Sequence, residues 1–167
     1  MVLGIKEYPC QLDNDELDTL IDFIDNIRYQ NNPTVVKTED NFLDCDLPVI
    51  QKLRWSYYDS CSRYWDMDVF DFKINSWIYV DWKGNSKEPY MHAHNSENPY
   101  TLSGIMYLKF TNSSGTTMFP MPGRPSYFLP NKMLTWFIFP SNLPHIPGRG
   151  MDNEKRYSLS ADLYYGR

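Results

Sequence analysis

The hydrophobic rhythm of the chain changes once. Up to about residue 67 apolar side chains recur at helical spacing, and from about residue 69 they fall in short runs bounded by turn residues. In "DNDELDTLIDFIDNIRYQNN" the residues Leu17, Leu20, Ile21, Ile24 and Ile27 share one face of a 3.6-residue period, which predicts an amphipathic helix. Asp13 or Asn14 supplies a cap for its start, and "NNP" at 31–33 stops it. "LPVIQKLRWSYYDSCSRYWD" sets Val49, Ile50, Leu53, Tyr57, Cys61 and Tyr64 on a second helical face, and Pro48 suits its first turn.

The remainder predicts strands. "VFDFKINSWIYVDW" is rich in aromatic and β-branched residues and alternates, as a half-buried strand or hairpin arm does. "LSGIMYLKF", "GTTMFP", "PSYFLP", "LTWFIFP" and "YSLSADLYY" follow, each bounded by Gly, Pro, Asn or Ser. Short strands punctuated in this way predict a sandwich or barrel. Neither a repeat nor a linker divides the chain. The expected architecture is mostly β with N-terminal helices, one domain over 1–167. A helical layer over about 1–67 packs on a β core over about 68–167.

Composition narrows the function classes. The net charge of −5 and a pI near 5.1 argue against a general nucleic-acid binder, which would show a basic face. Three cysteines, Cys10, Cys45 and Cys61, form no C-x-x-C pair and predict neither a disulfide framework nor a cysteine zinc site. No apolar run approaches the ~20 residues of a membrane helix, and the N-terminus lacks the pattern of a secretory signal. The expectation is a soluble cytoplasmic protein with no membrane association.

All three histidines fit one chemical reading. His92 and His94 stand in "YMHAHNSENPY", and His145 closes "LTWFIFPSNLPH". Side chains two apart on a strand point to the same face, so His92 and His94 can share a divalent ion if His145 arrives from another strand. Such an ion would keep an open face, as in non-haem iron sites, although zinc accepts three imidazoles equally well. An H-x-H pair alone is weak evidence; the third histidine in a second recognisable segment strengthens it.

From Ile74 onward the order of motifs resembles the iron(II)- and 2-oxoglutarate-dependent oxygenases, closest to the bacterial and phage relatives of the prolyl hydroxylases. The matching pieces are "NSWIYVDWKG", "HAH", "SGIMYLKF", "SGTTMF", "LTWFIFPSNLPH" and "EKRYSLSADL", roughly residues 74–163. The resemblance implies a double-stranded β-helix (jelly roll, cupin-like). It implies Fe(II) on His92 and His145, with 2-oxoglutarate and O2 as co-substrates. Position 94 holds histidine where the family usually keeps a carboxylate; His94 is the preferred ligand, and Glu97 or Asp81 is the alternative source of an oxygen. Arg156, with Ser158 on the same strand face, matches the residue that holds the distal carboxylate of 2-oxoglutarate, for which a guanidinium fork is well shaped. Tyr107 matches a tyrosine that donates to the same carboxylate, and a core position is its competing role. For Arg156 the competitor is a surface salt bridge to Glu154 or Asp152.

The implied reaction is hydroxylation of an unactivated C–H bond with decarboxylation of 2-oxoglutarate to succinate. The substrate, a small molecule or a peptide, is open, and so is homo-oligomerisation. Two rival functions are a cupin-like three-histidine dioxygenase that needs no 2-oxoglutarate and a non-catalytic jelly-roll binding protein. Trp77, Tyr79, Trp82, Trp136 and Phe137 are candidates for a substrate channel, with core packing expected for most of them because inward jelly-roll positions need large side chains, and the loop "PMPGRP" at 120–125 is a candidate for its mouth.

Overall fold

The structure, a computed structural model, describes residues 3–31, 38, 41–85, 88–94, 101–111 and 114–165. Helix α1 spans Asn14–Asn31. It opens on a reciprocal cap: Asp13 Oδ1 accepts the Glu16 N–H at 2.8 Å, and Glu16 Oε2 accepts the Asp13 N–H at 3.0 Å. Two of the four orphan donors of a helix start are satisfied in this way. Helix α2, Pro48–Trp65, carries Pro48 in its first turn and ends where Asp66 turns left-handed at φ 56°. No helix among the described residues is long and apolar enough to cross a membrane.

Five antiparallel strands build the main sheet in the order β1-β6-β3-β7-β2. They are β1 Lys6–Pro9, β2 Lys73–Asp81, β3 Thr101–Lys109, β6 Thr135–Pro140 and β7 Arg156–Tyr164. Opposite lies a second, looser layer. Its hairpin of β4, Met118–Phe119, and β5, Tyr127–Phe128, is extended by a Met118–Ile146 pair and then a His92–His145 pair. Two facing layers of this kind form the jelly roll that the strand pattern and the resemblance led us to expect.

Two local expectations change. Strand β1 lies within the stretch read as helical; its four residues are too few to show alternation, and its partner β6 is remote in sequence (Lys6 faces Ile138). The segment "VFDF" is a turn closed by Phe72 N–H on Val69 O, so β2 starts only at Lys73.

Alternation along β7 shows how the layers are assigned. Tyr157, Leu159, Ala161 and Leu163 face the helices and join the main core with Leu20, Ile24, Ile50, Leu53 and Ile78. Burying each large aliphatic side chain there contributes roughly 1.5–3 kcal/mol. Gly104 lets α2 come close: a Cβ at this position would stand 2.5 Å from Tyr57 Cε2. The Tyr57 hydroxyl meanwhile donates toward the carbonyls of Ala161 (2.9 Å) and Leu102 (3.2 Å). Between the two layers a smaller cluster of Ile5, Ile105, Tyr107, Phe119, Leu129, Phe137 and Phe139 fills part of the space. The opposite face of β7, with Arg156, Ser158 and Ser160, borders what that cluster leaves open.

Candidate metal centre

Backbone pairing brings the histidines together. His92 and His145 exchange both N–H···O bonds, at 2.9 and 2.8 Å, and the His94 N–H donates to Ser141 O at 2.7 Å. A doubly bonded antiparallel pair projects its two side chains to one side. The rings of His92 and His145 lie 4.5 Å apart, those of His92 and His94 5.0 Å, and those of His94 and His145 5.1 Å. One ring nitrogen from each lies within 4.8 Å of the other two, so the three can reach a single ion.

Each ring has the same polarity. Nδ1 of His92 faces Tyr90 O at 3.1 Å, Nδ1 of His145 faces Leu143 O at 2.9 Å, and Nδ1 of His94 faces the Asp162 carboxylate at 2.8 and 2.9 Å. Carbonyls and ionised carboxylates only accept, so Nδ1 carries the proton in each neutral ring and Nε2 keeps its lone pair. Burial lowers the pKa of His92, against a raising contribution from its bond to Tyr90 O. Burial pushes His145 down to about 4 in the same manner. A metal ligand must be deprotonated, and these two imidazoles are neutral at pH 7. The donor set therefore fits a divalent first-row metal such as Fe(II) or Zn(II).

The cluster opens into a cavity of about 140 Å3 between the two layers. Trp77, Tyr79 and Asp81 of β2 line it, as do Arg156, Ser158 and Ser160 of β7. Arg156 is 3% exposed, which sets aside a surface salt bridge to Glu154 or Asp152. Its partner is Asp81, its neighbour across the β2–β7 register, with Nη1 to Oδ1 at 3.2 Å. Asp81 also accepts the Gly150 N–H at 3.1 Å. Engaged in this way, Asp81 is not part of the histidine cluster, contrary to its alternative role as an oxygen ligand; Glu97 lies outside the described residues. Arg156 Nε is buried with no hydrogen-bond partner among the described residues, an unsatisfied donor at the cavity wall.

Ser158 lines the cavity beside Arg156. Tyr107 is fully buried, under the Arg156 guanidinium at 5.3 Å, and its hydroxyl is engaged by Thr117: it donates to Oγ1 at 3.1 Å and accepts the N–H at 2.8 Å. Thr117, not Tyr107, is the cavity-lining member of that pair. Of the proposed channel aromatics, Trp77 and Tyr79 line the cavity. The other three are packed in the core, as is expected for most of these aromatics: Trp136 on Tyr57 at 4.7 Å, Trp82 on the helix-side core, and Phe137 in the cluster between the layers. No residue of the loop 120–125 lines the cavity.

Sequence reasoning missed Asp81 as the partner of Arg156, and Asp162 altogether. The signal for Asp162 lies in "RYSLSADLY": Arg156, Ser158, Ser160 and Asp162 put four polar residues at period two on a strand that is otherwise apolar. An interior strand face with that pattern lines a polar site, not a core.

No protein-family model matches the chain, and no curated protein matches it in sequence. Solved structures match it in shape. The non-haem alpha-ketoglutarate-dependent carbocyclase SnoK from nogalamycin biosynthesis has a TM-score of 0.72 at 10% identity, covering 97% of this chain and 79% of its own. HygX from Streptomyces hygroscopicus, solved with nickel and 2-oxoglutarate bound, gives 0.68 at 11% identity over 97% and 83%. A Pseudomonas putida prolyl-4-hydroxylase gives 0.65 at 10% identity over 99% and 90%. The chain thus has the fold of the 2-oxoglutarate-dependent oxygenases, the family that its motifs resemble.

Proposed function

We propose that this protein is an Fe(II)- and 2-oxoglutarate-dependent oxygenase that hydroxylates an unactivated C–H bond. The observation that carries the reading is the convergence of one ring nitrogen from each of three histidines beside a cavity whose wall holds a buried, incompletely satisfied arginine. His92, His94 and His145 would hold the iron, and Arg156 with Ser158 the distal carboxylate of 2-oxoglutarate. HygX, of the same fold, binds both a metal and 2-oxoglutarate, and the prolyl hydroxylase supports hydroxylation as the outcome. When bound, the iron and co-substrate supply the oxidation: substrate C–H, O2 and 2-oxoglutarate become C–OH, succinate and CO2.

The chain's own residues bind and exclude. Nδ1–H bonds lock the imidazole orientations, so the donors are aimed before metal arrives. The guanidinium of Arg156 offers charge-assisted bonds worth roughly 1.5–3 kcal/mol to a carboxylate. Trp77, Tyr79 and Phe139 make part of the cavity wall apolar, which keeps competing water away from the reacting centre.

The test is succinate formation from 2-oxoglutarate by Fe(II)-loaded protein, with substrate-free turnover as the baseline. Wild type should form succinate, and folded His145→Ala should form none. One observation favours a second reading: Asp81 already neutralises Arg156, as would suit a three-histidine dioxygenase that needs no 2-oxoglutarate. That reading requires O2 consumption without 2-oxoglutarate and indifference of metal binding and activity to Arg156→Ala.

A further inference from the structure

We propose that Asp162 is a positioning residue for the metal centre, fixing His94 as a ligand and supplying its negative charge one hydrogen bond behind the imidazole. The inference rests on the reading of the three histidines as a metal site. Asp162 sits on β7 opposite Ser103 of β3, and both its oxygens lie within 2.9 Å of His94 Nδ1. The Ser103 hydroxyl donates to Asp162 Oδ1 at 2.6 Å, and Ser141 Oγ lies 3.0 Å from Ser103 Oγ. The carboxylate is thus held from behind while it holds the imidazole. Ser141 also accepts the backbone N–H of His94 through its carbonyl, so ring and main chain of this one ligand are tied to the same corner of the fold.

The three ligands are unequal in this respect. His92 and His145 donate Nδ1–H to neutral backbone carbonyls, whereas His94 donates to a carboxylate. A charge-assisted bond is roughly twice as strong as a neutral one. It also makes the imidazole a better donor to a cation. Three neutral imidazoles leave a bound dication uncompensated, and Asp162 is the carboxylate placed to offset that charge without occupying a coordination position. In this way the metal keeps its remaining positions for exchangeable ligands.

The experiment uses Co(II) alone as the probe of affinity and Zn(II)-loaded protein for NMR. Asp162→Ala should weaken Co(II) binding by about 10–100-fold, the range typical of lost outer partners of metal-bound histidine. Asp162→Asn keeps an acceptor oxygen for Nδ1–H and should restore part of the loss; it also serves where the alanine variant fails to fold. In the Zn(II) protein the His94 Nδ1–H proton should resonate farthest downfield of the three and move upfield in Asp162→Asn, with those of His92 and His145 unmoved. A purely structural role for Asp162 would leave that selective shift absent. If wild type binds Co(II) and both variants match it, this proposal is overturned alone. If wild type binds no Co(II), the metal reading falls and takes the proposal with it.

Discussion

At the scale of single residues, burial and hydrogen bonding set the protonation of the centre. In the metal-free protein His145 stays neutral down to about pH 4 because burial disfavours its charged form, while an unfolded histidine titrates near 6.5. Between those values the unfolded chain takes up a proton that the folded chain refuses. Stability is therefore fully present above about pH 6.5, falls as pH drops through the window and levels off below it. The contribution is on the order of 3 kcal/mol. Urea unfolding of EDTA-treated protein at pH 7, 6 and 5 should show this slope, and it should be shallower in His145→Phe; equal slopes would contradict the assignment. The Asp81–Arg156 pair makes a second prediction. Arg156→Ala leaves a buried carboxylate without its countercharge, which costs about 3–5 kcal/mol. A lower thermal midpoint, with a weaker affinity for 2-oxoglutarate, is expected; a variant as stable as wild type would contradict the pairing's role in stability.

At the scale of elements, the polar and apolar faces of β7 do opposite work, and the packing of α2 keeps the sheet in place. Gly104→Ala should destabilise by about 1–3 kcal/mol, because its Cβ would also meet Ile138 Cδ1 at 3.0 Å and Trp136 Cε3 at 3.2 Å. Denaturant titration reads this directly, and an unchanged midpoint would mean that α2 shifts freely on the sheet. The helices were legible because eighteen residues apiece display their period, with the Asp13 cap before α1 and Pro48 in the first turn of α2, and β2, β3, β6 and β7 because each is a run of six to nine residues rich in aromatic and aliphatic side chains. Strand β1 was not, since four residues show no period and only the remote β6 makes them a strand. The histidine triplet was legible from type and spacing, with His145 placed at the end of its own strand segment and the family resemblance agreeing with it. Asp81 and Asp162 were not, because a carboxylate's partner is fixed by strand register, and register is a property of the folded sheet.

At the scale of the molecule, the two layers divide the labour. The helices cover the outer face of the main sheet and bury its apolar residues, which releases the inner face to carry polar groups. Arg156 at the start of β7 lines the cavity, while Asp162 near the end of the same strand reaches it through His94. The departure at position 94 takes on a physical sense in this arrangement: histidine stands where the resembled family keeps a carboxylate, and a carboxylate stands directly behind it. The proposed function requires His92, His94 and His145 to hold iron together with 2-oxoglutarate. Its most direct measurement is the visible spectrum of the protein after anaerobic addition of Fe(II) and 2-oxoglutarate. A metal-to-ligand charge-transfer band is expected in wild type and is absent from folded His145→Ala. A folded wild-type protein that shows no such band would contradict it.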